Sequence, residues 1–305
     1  MVGEHLQTFL NKAVQEYSAK TGIGNPDQTV YRIAVEYDDE VSITEKIAAF
    51  ASDPKAGQVK ELIIGNYSTD VSDKTDADAV VETLVEHKDK LKSLKALFFG
   101  DITYEESEIS WIQQTDIAPI LKAWPALEHL QVRGGEGLSF SELQHDQLKT
   151  LIIETGGLPP NVITEINSAR LPNLERLDLW LGDENYGFAS GIEDFAAILS
   201  GKLFPKLTHL GLMDTELEDE IAFAITQAPI LKQLKVLDLS MGTLTDQGAA
   251  ALRDSDGIRK LQHLNLRHHF LSDGMMAQMK NLGISVNLDD KQDPDGEYRF
   301  IEVAE

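Results

Sequence analysis

The chain has 305 residues, 42% of them hydrophobic and 26% charged, enough apolar surface for a sizeable core and enough polar surface to keep it in water. Its 51 acidic residues against 27 basic ones give a formal charge of -24, a field that repels phosphate backbones and anionic lipid headgroups and argues against sequence-independent nucleic-acid binding. There is no cysteine, which excludes disulfides, thiolate nucleophiles and cysteine-ligated metals.

The opening residues Met-Val-Gly-Glu-His-Leu lack the basic and apolar regions of a secretion signal, and no apolar run reaches membrane-spanning length, so a cytoplasmic location is expected. From Glu4 to Lys20, apolar residues at Leu6, Phe9, Leu10, Ala13, Val14 and Tyr17 follow the spacing of one helix face, and Gly22, Gly24 and Pro26 stop it. This segment, within residues 1–29, is expected to be a helical cap on the first open end of the core.

A phrase of the form L-x-x-L-x-L then recurs. Its first apolar position falls at Val30, Val59, Leu94, Leu127, Leu148, Leu174, Leu207, Leu234 and Leu261, and its third at Val35, Ile64, Phe99, Val132, Ile153, Leu179, Leu212, Leu239 and Leu266. Helix signatures lie between the phrases: the capping box Ser42 to Glu45 before Ile47, then 79–91, 117–121, 162–166, 195–199, 221–225, 248–252 and 275–279. Strand, helix and parallel strand with right-handed crossovers make an α/β right-handed solenoid, a horseshoe with a concave sheet of about ten strands and convex helices. The expected organisation is a cap at 1–29, a solenoid at 30–289 closed by a degenerate strand near Val286, and an acidic tail at 290–305.

Most repeats run 26 to 35 residues, with one unit of 21 between Leu127 and Leu148. These helix-bearing units resemble the ribonuclease-inhibitor-like class of leucine-rich-repeat proteins across about residues 30–289. That class often places Asn or Cys three residues after the last strand leucine. Here the place holds Asp38, Tyr67, Ile102, Gly135, Gly156, Gly182, Thr215, Gly242 and His269, so the turn must be satisfied by backbone or hydroxyl groups. With its charged tail and strand-like ending at 298–305, the chain also resembles an uncharacterised family of bacterial cytoplasmic leucine-rich-repeat proteins.

Residues between the core leucines point away from the core, so the third, fifth and seventh positions of each phrase face the concave side. In the N-terminal half these include Ile63, Phe98 and Ile152, an apolar stripe that is either a contact site or is covered by the chain's own loop. Further along stand Arg133, Asp178, Trp180, His209, Met213, Asp238, Ser240, His263, Asn265 and Arg267, an aromatic, a methionine and mixed polar groups that suit a protein-binding surface. A solvated sheet face is the plainer alternative.

Acidic loops at 66–78, 101–108 and 182–194 leave one edge of the solenoid and are able to form a negative rim that steers a basic partner. His209 and His263 lie two strands apart, about 10 Å, too far for one ion. In the tail, Lys291 stands where a calcium loop needs its first carboxylate. Neither a phosphate loop nor a nucleophile elbow occurs, and a Ser240, His263, Asp238 triad on an open face would lack the desolvation that activates serine.

The expectation is a non-catalytic, monomeric scaffold without metal or cofactor, binding a protein, basic or neutral, on its concave face, and binding neither nucleic acid nor membrane. A bacterial effector adaptor, or a small-molecule binder using His209, Asp238, His263 and Asn265, is the alternative.

Overall fold

Alternation of period two in each phrase produces strands, and the computed structural model, which describes residues 2–68, 76–296 and 298–304, contains twelve of them. They are β1 (Thr8–Phe9), β2 (Lys12–Glu16), β3 (Thr29–Ile33), β4 (Glu61–Ile64), β5 (Ala96–Phe99), β6 (His129–Arg133), β7 (Thr150–Glu154), β8 (Arg176–Gly182), β9 (His209–Thr215), β10 (Val236–Asp238), β11 (His263–Asn265) and β12 (Ser285–Asn287). They form one sheet in chain order, with β1 and β2 antiparallel and the later pairs parallel.

Among the described residues eight α-helices run on the other side: α1 (Ile43–Ser52), α2 (Asp76–Glu86), α3 (Ala118–Ala123), α4 (Pro160–Asn167), α5 (Ala196–Leu199), α6 (Glu218–Gln227), α7 (Asp246–Asp254) and α8 (Asp273–Met279). Each of the expected helix signatures overlaps one of them, although the one expected at 79–91 ends at Glu86. The Ser42 capping box is formed at the start of α1. The architecture is thus the expected α/β solenoid.

Its core is a ladder. Leu62, Leu97, Leu130, Leu151, Leu177, Leu210, Leu237 and Leu264 stand side by side on successive strands, all fully buried, and the apolar faces of the helices close over them. Truncating one such leucine to alanine costs about 2–5 kcal/mol through lost burial and the cavity left behind.

Four expectations are corrected. The first repeat is shifted by two residues: Tyr31 pairs with Leu62 and Ile33 with Ile64, so Tyr31 and Ile33 are the core positions and Val30 points to the concave side. The N-terminal segment is a hairpin, not a helix. Leu10 and Asn11 both adopt left-handed backbone (φ 48° and 65°), the two-residue turn that joins twisted strands. A parallel edge strand leaves a row of unpaired N–H and C=O groups, and β2 satisfies those of β3, an advantage that outweighs the helical spacing of the side chains.

The third correction concerns the 21-residue repeat. Among the described residues no α-helix joins β6 to β7, and Leu138, Phe140 and Leu143 fill its place in the core. The fourth concerns the turns, which use imidazole and carboxylate as well as backbone and hydroxyl groups. His269 Nδ1 accepts from Leu271 N at 3.1 Å while Nε2 donates to Leu288 O at 3.2 Å, the double role an Asn side chain would fill. Glu218 accepts from Leu244 N in the next repeat at 2.6 Å, and Asp219 accepts from Thr245 N at 2.9 Å.

Among the described residues no helix is long and apolar enough to cross a membrane.

Candidate interaction surface

The pleat turns the side chains between the core leucines onto the concave face, and there the two halves of the molecule differ. In the N-terminal half the face is closed. Phe9, Val30, Ile63, Ala96 and Phe98 form a second, small apolar cluster on the concave side, with Leu6 and Val14 packed against it. The Phe9 ring stacks on Phe98 at 6.4 Å between centroids and meets His129 edge-on at 5.2 Å. Hence the stripe Ile63, Phe98 is covered by the chain's own hairpin, and Ile152, also buried, lies two strands further on.

Beside this cluster runs a buried ionic chain. Arg32 Nε lies 3.2 Å from Asp101, Asp101 lies 3.5 Å from Arg133, and Arg133 Nε meets Glu154 at 2.7 Å. The Arg133 guanidinium also donates to Ile102 O at 2.8 Å and lies 5.1 Å over the Phe98 ring. Gly65 makes room for this chain, because a Cβ there would stand 2.4 Å from the Arg32 guanidinium. Arg133 is only 3% exposed, so its place is inside this network rather than on an open surface. His129, buried under Phe9, has its pKa pushed down to about 4, chiefly because burial penalises the imidazolium.

In the C-terminal half the face is open. Trp180 and Met213 are half-buried neighbours in register on β8 and β9, and His209, Asp238, His263, Asn265 and Arg267 are half-buried beside them. Asp178 and Ser240, expected on the surface, are buried. Asp178 sits between Arg176 at 2.5 Å and His209 at 3.1 Å. Burial raises its pKa, but His209 and Arg176 together outweigh that and hold the carboxyl below its ordinary range.

Ser240 Oγ donates to Asp238 at 2.6 Å, Asn265 donates to the other Asp238 oxygen at 2.9 Å, and His263 bonds Ser285 at 2.8 Å. Serine and histidine therefore have different partners, and no triad is assembled. Arg267 bridges Asp290, at 2.9 Å, and Glu302. His268, Asp290 and Glu302 bring one possible ligand atom each within 4.8 Å of one another, but the Arg267 cation already compensates both carboxylates.

The acidic rim is formed in part. Of the loop at 66–78, Asp70 and Asp73 lie outside the described residues, while Asp76 and Asp78 open α2. Asp101 is fully buried between two arginines, and Glu106 turns inward to Thr103 N at 2.8 Å and toward Arg32 at 3.5 Å. Asp183, Glu184 and Glu216 do share a cleft of about 610 Å³ with Thr215 and Phe188. Partial burial first, then the charges of Asp183 and Glu184, raises the Glu216 pKa.

The leucine-rich-repeat family matches residues 232–252, the stretch from just before β10 into α7. A protein of Bacteroides fragilis with a solved crystal structure is 36% identical, superposes with a TM-score of 0.82, and is aligned over 90% of this chain and 76% of its own. The chain belongs to the leucine-rich-repeat family. An internalin from Listeria monocytogenes aligns over 88% of this leucine-rich-repeat protein and 62% of its own chain, at 13% identity and a TM-score of 0.43. No curated protein matches.

Two features of this leucine-rich-repeat surface escape a sequence reading. The covering hairpin has a faint signal, the apolar Leu6 and Phe9 ahead of an Asn that tolerates left-handed backbone. The return of residues 301–303 to the strand ends has one also, the alternation Ile301, Val303.

Proposed function

We propose that this leucine-rich-repeat protein is a non-catalytic, monomeric scaffold, cytoplasmic in location, whose partner is a protein docked on β8 to β11 of the concave sheet. The observation that carries this reading is the asymmetry of the face. The chain's own hairpin covers the apolar N-terminal half, while Trp180 and Met213 stay partly exposed among polar side chains. A Trp beside a Met, ringed by groups able to hydrogen-bond, has the composition of an interface centre. The charge of -24 and the Asp183, Glu184, Glu216 cleft favour a basic partner and oppose nucleic acid and anionic membranes.

A small-molecule site at His209, Asp238, His263 and Asn265 is less favoured, because each of these is held by a neighbour within the protein. An adaptor role in a host cell would use the same surface.

Capture from native cell lysate tests the placement. Wild-type protein is expected to retain at least one species that a Trp180→Ala, Met213→Ala variant loses by ten-fold or more, with the variant's melting temperature within a few degrees of wild type. Equal retention by a folded variant would remove the site from this face.

A further inference from the structure

Three turns at the strand ends of this protein are shaped to hold a main chain. Asp214, Met241, His268 and Asp290 occupy the same place in four successive repeats, two residues past Leu212, Leu239, Leu266 and Leu288, and all adopt left-handed backbone, with φ of 56°, 75°, 58° and 61°; the first three lie under the segment described next. Side chains with a Cβ avoid this region, so its recurrence at non-glycine residues is a feature of these repeat turns, and in three of them it presents a hydrogen-bonding group to the same segment.

What lies across these turns is the segment 298–304. A tight turn, in which Asp295 and Tyr298 exchange backbone hydrogen bonds at 3.0 Å, sends the chain back over the strand ends. His268 Nε2 then donates to Phe300 O at 3.1 Å, Glu302 N donates to Met241 O at 2.7 Å, and Val303 N donates to Asp214 Oδ1 at 2.9 Å. Beyond them Ser110 Oγ donates to Ala304 O at 2.7 Å. Gly156 leaves the necessary room, since a Cβ there would stand 2.6 Å from that same carbonyl.

Asp214, Met241 and His268 thus supply one of these hydrogen bonds each and Ser110 the fourth, and all four engage the segment's backbone. Side chains alternate accordingly. Ile301 and Val303 are 8% and 3% exposed, Glu302 pairs with Arg267, and Tyr298 and Phe300 stay 72% and 61% exposed. Main-chain hydrogen bonds for affinity and alternate side chains for specificity are how an extended peptide is recognised.

We propose that Asp214, Met241, His268 and Ser110 form a binding site for an extended peptide of apolar–acidic–apolar pattern, and that Ile301-Glu302-Val303 is its releasable intramolecular ligand. Release is accessible because two buried aliphatic side chains and four hydrogen bonds are comparable in size to the conformational entropy of fixing the segment. The site adjoins the concave-face surface at Arg267, which Glu302 pairs, but its test does not depend on that surface having a partner. Asp214 is fully buried beneath the segment, and burial raises its carboxyl well above the usual range.

Two measurements test this. In the full chain carrying Ile301→Asp and Val303→Asp, the segment is expected to leave, and a fluorescein-labelled peptide Tyr-Arg-Phe-Ile-Glu-Val-Ala should bind saturably by anisotropy. Wild type, its site already filled, should bind the peptide at least ten-fold more weakly, and adding Asp214→Ala to the double variant should weaken binding by a similar factor. Absence of saturable binding to the folded double variant, or equal binding to wild type, overturns the proposal.

The second measurement uses wild type alone. The amides of Glu302 and Val303 are expected to exchange with solvent slower than a free chain, yet at least a hundred-fold faster than the core amide of Leu264. Exchange at the free-chain rate would mean that the segment is not docked; exchange as slow as Leu264 would mean that it is not released.

Discussion

His129 and Glu218 are both titratable and both buried, and they respond to pH in opposite directions. The folded protein keeps His129 neutral down to about pH 4, whereas the unfolded chain protonates it near 6.5, so folding loses stability as pH falls between those values, by roughly 3 kcal/mol once both are passed. His129→Gln should abolish that part of the acid loss, read by urea unfolding at pH 7 and pH 4.5; an unchanged slope would mean that the imidazole is hydrated. Glu218 is protonated in the folded protein well above its ordinary value of 4.5, because burial, then Asp214, disfavours the carboxylate. Its stabilisation is complete below pH 4.5 and declines as pH rises toward the folded value. Glu218→Gln, which keeps an acceptor for Leu244 N, should make the protein relatively more stable at pH 8 than at pH 4.5, compared with wild type. At this scale the core leucines were legible because each repeat states them afresh. The burial of Arg133 was not, since it arises only when Asp101 and Glu154, from two other repeats, meet it.

The N-terminal hairpin shows how an element escapes its own local pattern. Leu6, Phe9, Leu10, Ala13 and Val14 fit a helix face, but Leu10 ends up exposed at the turn and Phe9 buried on Phe98, because the open edge of β3 selects strand pairing. A leucine at a position with φ of 48° is strained, and Asn-Gly is the favoured pair for such a turn. Replacing Leu10-Asn11 by Asn-Gly should therefore stabilise the protein by about 1 kcal/mol, seen as a higher melting temperature. Phe9→Ala should destabilise it by about 3–5 kcal/mol, or less if the hairpin detaches, and should expose Phe98 to a hydrophobic dye. If Phe9→Ala melts like wild type and binds no dye, the hairpin is not the cover. Helices α1 to α8 were legible from caps and periodicity, for they pack on their own repeat and its immediate neighbours.

Across the whole molecule, the repeated strand phrase determines a sheet in chain order, and both ends of the described chain fold back on it. The hairpin closes one half of the concave face, and residues 298–304 cross the strand ends from His268 to Ser110. Neither return is a repeat property, so nothing periodic announces it; both depend on surfaces that exist only once the solenoid has formed. What they leave open is the face of β8 to β11, with Trp180 on β8 and Met213 beside it on β9. The most direct test of that surface places the photo-crosslinker benzoylphenylalanine at position 213 and, separately, in place of the exposed Phe223 on convex α6, and irradiates each protein in native lysate. Adducts to a single partner from position 213, absent from position 223 and lost when Trp180→Ala is added, are the expected result. Adducts from position 223 alone, or adducts from position 213 that survive Trp180→Ala unchanged, would contradict it.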